Sequence, residues 1–250
     1  MNNDITLVWS FRNRFDVLKK SIETAHKYCP VSINFCLVDA SSSDDTIREL
    51  REFCNSSILS GRKIRICESA YRSTVQEAWN LGIMLSDTRF VIFVSSDVVF
   101  TSDKWIRNIA DTINRGGEYI IVENHAMFCI DKTIIPIMGW FDERYKLGPH
   151  FDTDFMIRST EAGINMSIIG SGSSYTHGDT PEMENTRKVE ELEDRLPMSS
   201  DVNDVIFKEK WETTWPGWKD RVHPPTTIAN AKRTLPEIDP HPFYTKKYVQ

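Results

Sequence analysis

Cysteine is sparse in this sequence and unpatterned. The five cysteines of the 250-residue chain (Cys29, Cys36, Cys54, Cys67 and Cys129) are odd in number, scattered and without a Cys-x-x-Cys spacing. Neither a disulfide framework nor a zinc site is indicated, and reduced, mostly buried thiols are expected. No apolar run approaches the roughly 20 residues needed to cross a bilayer. No Gly-x-Gly-x-x-Gly follows the first apolar run, and no Gly-Lys-Ser/Thr occurs, which argues against a standard dinucleotide fold and against P-loop chemistry. Internal repeats and low-complexity stretches are missing too. Basic charge is not in excess: 30 Lys and Arg stand against 36 Asp and Glu, a net charge of −6. No global field for nucleic acid follows from that balance. Met1-Asn2-Asn3-Asp4 does not read as a signal peptide, so a cytoplasmic location is expected. What remains is ordinary globular composition, 40% hydrophobic and 26% charged, in a chain long enough for one large α/β domain or two small ones.

Strand and helix patterns alternate through the first hundred residues. Ile5–Ser10 reads as a strand, and Phe15, Leu18, Ile22 and Ala25 have helical spacing up to Tyr28. Ser32–Val38 reads as a second strand ending at Asp39. Asp44 or Ser43 is placed to cap a helix over Thr46–Cys54. Lys63–Cys67 is a third strand, Val75–Met84 a helix, and Phe90–Val94 the core of a fourth strand ending at Asp97. Such alternation predicts a mostly parallel sheet. Beyond it, Asp103–Ile113 and Phe151–Glu161 read as helices, with Gly163 as a stop. Tyr119–Val122, Met127–Ile130 and Asn165–Ile169 read as strands. Met183–Arg195 is charged enough for a solvated helix. Trp211–Gln250 holds Trp211, Trp215 and Trp218 and has few clean periods, which suggests an extended tail wrapping the core.

The acidic residues fall where α/β proteins do chemistry. Phe90–Val94 has the composition of a strand covered on both faces, and a carboxylate at its C-terminal end faces the ligand crevice of such sheets. Asp97 there either caps the following turn or belongs to a metal or nucleotide site. Asp39 ends the second strand on the same edge, with Asp44 and Asp45 nearby. An oxygen-lined site of that kind suits Mg²⁺ or Mn²⁺ and could neutralise a diphosphate. A second cluster comprises Asp142-Glu143 and Asp152-x-Asp154. Two residues apart on a helix, Asp152 and Asp154 cannot share a face. Asp154 can reach Arg158 at i+4, which leaves Asp152 as the candidate base. Either carboxylate could instead be a plain N-terminal cap. His177 follows a glycine-containing turn (Gly170, Gly172) and is a third candidate.

In order along the chain, these motifs resemble the family 2 glycosyltransferases with the GT-A fold. Ser10-Phe11-Arg12-Asn13-Arg14 is similar to the loop after that family's first strand. Val38-Asp39-Ala40-Ser41-Ser42-Ser43-Asp44-Asp45-Thr46 is similar to its Val-Asp-(Asp/Asn)-(Gly/Ser)-Ser-x-Asp-x-Thr pattern. Ala78-Trp79-Asn80-Leu81-Gly82 resembles Ala-Arg-Asn-x-Gly, and Ser95-Ser96-Asp97 resembles Asp-x-Asp. Gly139-Trp140-Phe141-Asp142-Glu143 is similar to Gly-Gly-Phe-Asp-Glu, and Phe151-Asp152-Thr153-Asp154-Phe155-Met156-Ile157-Arg158 to Glu-Asp-x-Asp-Leu-x-x-Arg. The resemblance covers about residues 5–180.

That resemblance implies a Rossmann-like, mixed, mostly parallel sheet flanked by helices. It divides residues 1–180 into a nucleotide-sugar-binding half (1–100) and an acceptor half (101–180). Residues 181–250 would be a helix and wrapping tail, not an independent domain. It also implies an inverting, metal-dependent hexosyl- or pentosyltransferase using a nucleotide diphosphate sugar, typically a UDP-sugar, and a glycan or other hydroxyl-bearing acceptor. Asp39 would accept a hydrogen bond from the base, typically uracil. Ser10, Arg12, Asp44, Asn80, Ser95 and Ser96 would line the donor site. Asp97 would hold Mn²⁺ or Mg²⁺ with His177 as a further ligand, and Asp152 would be the general base. Trp140, Asp142, Glu143 and Asp154 would form the acceptor side. The chain departs from the pattern in three places: Ser95 replaces the first Asp of Asp-x-Asp, Phe151 replaces a Glu, and Trp79 stands where relatives often carry a phosphate-contacting Arg, with Arg72 as substitute. A nucleotidyltransferase acting on a sugar phosphate, or a non-catalytic nucleotide- or glycan-binding descendant, are the alternative readings.

Overall fold

A computed structural model describes residues 4–69, 73–145, 150–177 and 200–211. Arg72, the helix expected over Met183–Arg195 and the tail beyond Trp211 lie outside the described residues. The chain divides into two compact units: one of residues 1–133 and 165–178, the other of residues 134–164 and 179–250.

The first unit is built on a seven-stranded sheet. Its strands are β1 (Ile5–Phe11), β2 (Asn34–Asp39), β3 (Ile64–Glu68), β4 (Phe90–Ser95), β6 (Tyr119–Val122), β7 (Asn124–Asp131) and β8 (Met166–Ile169), in the order β3-β2-β1-β4-β7-β6-β8. β3, β2, β1 and β4 run parallel, β7 is antiparallel to both β4 and β6, and β8 is parallel to β6. The sheet is therefore mixed and mostly parallel. Local composition foretells its strands; the reversal at β7 depends on a connection that composition does not encode. Val98–Phe100 does not continue β4. It turns away after Ser95 as a separate strand, β5, and pairs antiparallel with β9 (Tyr175–His177).

Helices cover both faces of this sheet. On one face Leu7, Trp9 and Phe11 pack with Leu18, Ile22 and Ala25 of α1 (Phe15–Tyr28), with Leu50 and Phe53 of α2 (Thr46–Cys54), and with Trp105, Ile106 and Ile109 of α4 (Lys104–Asn114). The indole of Trp9 is fully buried and donates to Ser21 Oγ at 2.9 Å, so its one polar atom is satisfied. Side chains alternate across a strand, so Val8 faces the other way, onto α3 (Val75–Leu85). Trp79 of α3 packs there against Phe93 of β4 and Phe128 of β7, with centroids 5.4 and 4.8 Å away. α3 starts on a capping box: Glu77 N–H donates to Thr74 Oγ1, and Thr74 N–H donates to Glu77 Oε2 at 2.6 Å.

The second unit contains the short helix α5 (Ile135–Met138), α6 (Phe151–Glu161) and α7 (Ser200–Trp211). The sequence pattern gives α6 its observed ends, whereas α7 falls in a stretch with no expected element. Phe141 stacks on Phe155 with ring centroids 4.0 Å apart, and Arg158 Nη1 donates to the Met138 carbonyl at 2.7 Å. The turn between α5 and Phe141 passes through Gly139 at φ 83° and ψ 178°, a region open essentially to glycine alone.

Candidate active site

The chain makes β1, β2 and β3 outward in one direction, then crosses back to lay β4 on the other side of β1. The crevice beyond the C-terminal ends of β1 and β4 is thus the topological switch point, where open α/β sheets bind ligands. Ser10 pairs with Ser95 across it, and Phe11 pairs with Asp39 on the neighbouring strand. Ser10, Asp39, Ser95, Ser96 and Asp97 therefore gather on one sheet edge.

Asp39 is 2% exposed. Ser42 N–H donates to its two carboxylate oxygens at 3.1 and 3.0 Å, and Ser42 Oγ donates to Oδ1 at 2.5 Å. Burial pushes the Asp39 carboxyl above the usual carboxylate range against the pull of these hydrogen bonds, and Glu68 adds to the rise. The loop after β1 clasps the same turn. Asn13 N–H donates to Ser42 Oγ at 2.7 Å, Ser43 N–H donates to Asn13 Oδ1 at 2.8 Å, and Arg12 Nε donates to the Ser41 carbonyl at 3.3 Å. Asn13, Arg14 and Ser41 all sit at positive φ, between 57° and 66°. Three non-glycine residues in that region make a cluster of local strain held by the clasp. Asn13 is absent from the sequence-derived site; its signal was its place in the Ser10–Arg14 loop.

Asp44 is exposed, and its Oδ1 accepts from Thr46 N–H at 3.0 Å. The N-cap of α2 is Asp45, which makes no side-chain cap bond, so Asp44 braces the turn ahead of the helix and neither it nor Ser43 is the cap. Asn80 is fully buried within α3.

Asp97 and His177 meet at the end of this edge. The β5–β9 pairing sets Val98 opposite His177, and His177 Nε2 lies 3.3 Å from Asp97 Oδ1. The Asp97 side chain is 7% exposed. Its Oδ2 is buried with no hydrogen-bond partner among the described residues. A buried carboxylate oxygen left in that state is costly, and a cation would relieve it. One carboxylate and one imidazole form a donor set compatible with a divalent ion. Among the described residues no cluster of three or more His, Cys, Asp or Glu side chains is placed to hold a metal.

The second unit has its own polar centre. Asp154 is fully buried, and Arg158 Nε donates to its Oδ2 at 2.9 Å, the i+4 pair the spacing predicts. Trp211 Nε1 donates to Asp154 Oδ1 at 3.0 Å, and Lys210 Nζ lies 2.7 Å from the same oxygen. Asp142 is held by Arg144, whose Nε and Nη2 donate at 2.9 and 2.6 Å, and by Lys210 at 2.8 Å. Burial alone would raise the Asp142 carboxyl, but these two cations outweigh it and hold it well below the carboxylate range. Asp152, two residues earlier on α6, is partly buried on a different face from Asp154. Its Oδ1 accepts from Thr153 N–H at 2.8 Å. Trp140 and Glu143 are also partly buried.

The model of "Glycosyl transferase family 2" matches residues 6–165. No curated protein matches the sequence. Solved structures share the fold. S. aureus TarS superposes with a TM-score of 0.59 at 12% identity, covering 82% of this chain and 42% of TarS, so the chain spans less than half of that protein. TarS 1-349 in complex with UDP-GlcNAc gives 0.59 at 12% identity, covering 91% of this chain and 79% of that one. The mannosyltransferase PcManGT from Pyrobaculum calidifontis, in complex with GDP-Man and Mn²⁺, gives 0.61 at 9% identity, covering 98% and 83%.

Proposed function

The chain belongs to glycosyl transferase family 2, and we propose that it is an inverting enzyme that moves a sugar from a UDP-sugar to an acceptor hydroxyl. The observation that carries this reading is the buried Asp97 carboxylate, one oxygen of which has no partner among the described residues, beside His177 at the switch point of the sheet. Structures of the same fold hold UDP-GlcNAc or GDP-Man with Mn²⁺, which supports a nucleotide-sugar donor.

Asp97 and His177 would hold the divalent ion, with imidazole favouring Mn²⁺ over Mg²⁺. When bound, that ion supplies charge neutralisation to the leaving diphosphate. Asp39, fixed in place by Ser42, presents acceptor oxygens to the N–H edge of the base; Ser10, Arg12, Ser95 and Ser96 border the same crevice. Asp152 takes the proton of the acceptor hydroxyl. The acceptor oxygen then bonds to the anomeric carbon, the bond from that carbon to the diphosphate oxygen breaks, and the electron pair leaves with the nucleoside diphosphate. A single displacement of this kind inverts the anomeric centre. Trp140, Asp142, Glu143 and Asp154 belong to the acceptor side. Among the described residues no helix is long and apolar enough to cross a membrane; the proposed location is cytoplasmic, and the proposed acceptor is a glycan or other hydroxyl-bearing molecule.

Hydrolysis and transfer across a panel of UDP- and GDP-sugars, with Mn²⁺, Mg²⁺ or chelator, test the reading. Turnover requires metal, falls at least about 100-fold in Asp97→Ala and in Asp152→Asn, and is fastest with a UDP-sugar. Full activity in both variants overturns it.

A further inference from the structure

The family match ends at residue 165, yet the two acidic motifs of the second unit are joined by a side chain from α7. Lys210 Nζ lies 2.7 Å from Asp154 Oδ1 and 2.8 Å from Asp142 Oδ2. Its side chain is 5% exposed, that of Asp154 is wholly buried and that of Asp142 is 11% exposed. A lysine this far from water is unfavourable unless its charge is matched and its protons are bonded. Both matching carboxylates come from the motifs assigned to the acceptor side.

The contact is not isolated. Asp204 Oδ1 lies 2.5 Å from His150 Nε2, the Phe207 ring centroid is 5.2 Å from that of His150, and Trp211 bonds Asp154. Residues 204, 207 and 211 follow the i, i+3, i+7 spacing of one helical stripe. The stripe runs against the start of α6, where His150 is the N-cap at φ 89°.

We propose that Lys210 is a positioning residue for glycosyl transfer, tying the Asp142 turn to the first turn of α6 and thereby setting where the Asp152 carboxylate sits. This rests on the reading of Asp152 as the base. Two carboxylates that reach one nitrogen lie close together, and in a poorly screened interior they repel when the cation is removed. Arg144 is 62% exposed and pairs with Asp142; Arg158 pairs with Asp154 from within α6. Among the described residues Lys210 is the cation bonded to both. Without it the Phe141–Phe155 stack and the Arg158–Met138 bond still join the two segments, so the unit stays folded but the turn and the helix start drift apart. A displacement of about 1 Å at a reacting group can lower turnover by about 100-fold.

The test uses the full chain with Lys210→Met, Lys210→Arg and the charge-balanced Lys210→Met/Asp142→Asn. Hydrolysis of UDP-glucose, UDP-galactose and UDP-GlcNAc with Mn²⁺ gives kcat and KM, calorimetry gives the Kd of UDP with Mn²⁺, and hydrogen exchange reports residues 139–161. Lys210→Met lowers kcat roughly 10- to 100-fold with UDP affinity unchanged within about twofold, and it speeds exchange over 139–161. Lys210→Arg recovers part of the loss. The double variant recovers the melting temperature but not kcat. Unchanged exchange over 139–161, or UDP binding that weakens in step with kcat, overturns the proposal. Asp152→Asn is run in parallel: full turnover there sinks the base assignment, while the exchange data still decide whether Lys210 ties the two motifs.

Discussion

Gly82 of α3 lies so close to Val8 of β1 that a Cβ built on it would stand 2.4 Å from Val8 Cγ1. That is overlap, not contact, and Val8 is itself fully buried. The glycine of the Asn-x-Gly motif is thus a packing residue that brings the helix down onto the sheet. Gly82→Ala costs about 1–3 kcal/mol by overpacking, read as a lower denaturant midpoint at unchanged m-value. Gly82→Ala/Val8→Ala recovers part of the loss. A Gly82→Ala variant as stable as wild type shows the contact to be slack.

Ser42 presents Asp39 to the crevice. Ser42→Ala removes the Oγ–Asp39 bond and the acceptor for Asn13 N–H but keeps the backbone donor. A hydrogen bond to a charged group contributes about 1.5–3 kcal/mol. Partial compensation by water leaves an expected rise in donor KM of roughly 3- to 10-fold, with kcat little changed. Burial already raises the Asp39 carboxyl and the Ser42 hydroxyl opposes that rise, so the variant's group protonates at higher pH. The KM defect is therefore larger at pH 5 than at pH 8. A defect of the same size at both pH values contradicts that account.

Glu161 closes α6 with its carboxyl raised to about 7, first by burial and then by the charge of Asp154, against the opposing pull of Lys210. The unfolded chain ionises this group near 4.5. Between pH 4.5 and 7 the unfolded state therefore sheds a proton that the folded state keeps, and stability from this group is lost as pH rises through that window. Glu161→Gln removes the dependence. The melting temperature of the variant relative to wild type increases from pH 5 to pH 8; a constant difference contradicts the sign.

Much of the switch-point edge is legible in the sequence because it follows local rules. Apolar runs end in Asp39 and Asp97, and parallel strands put both on one edge. Asp154–Arg158 is legible for the same reason, since i+4 spacing alone brings them together. What escapes the sequence depends on distance along the chain. The break between β4 and β5 is concealed because Val98-Val99-Phe100 has strand composition like the run before it; the separation appears only once β9 pairs with β5. Asp204, Phe207, Lys210 and Trp211 carry a helical spacing, but their partners His150, Asp142 and Asp154 lie far back in the chain. The apolar content of Ser200–Trp211 is too low to mark a buried face.

The bridge from Lys210 to Asp142 and Asp154 also orders events in time. Domains fold from the N-terminus as the chain is made, at roughly 5–20 residues per second, so the two carboxylates leave the ribosome seconds ahead of their shared cation. Until α7 is synthesised the start of α6 carries anions that its own arginine only partly balances. On the roles proposed above, the acceptor side is thus the late-maturing part of the molecule, and a nascent chain can complete the Asp39 edge well before α7 can position the proposed base.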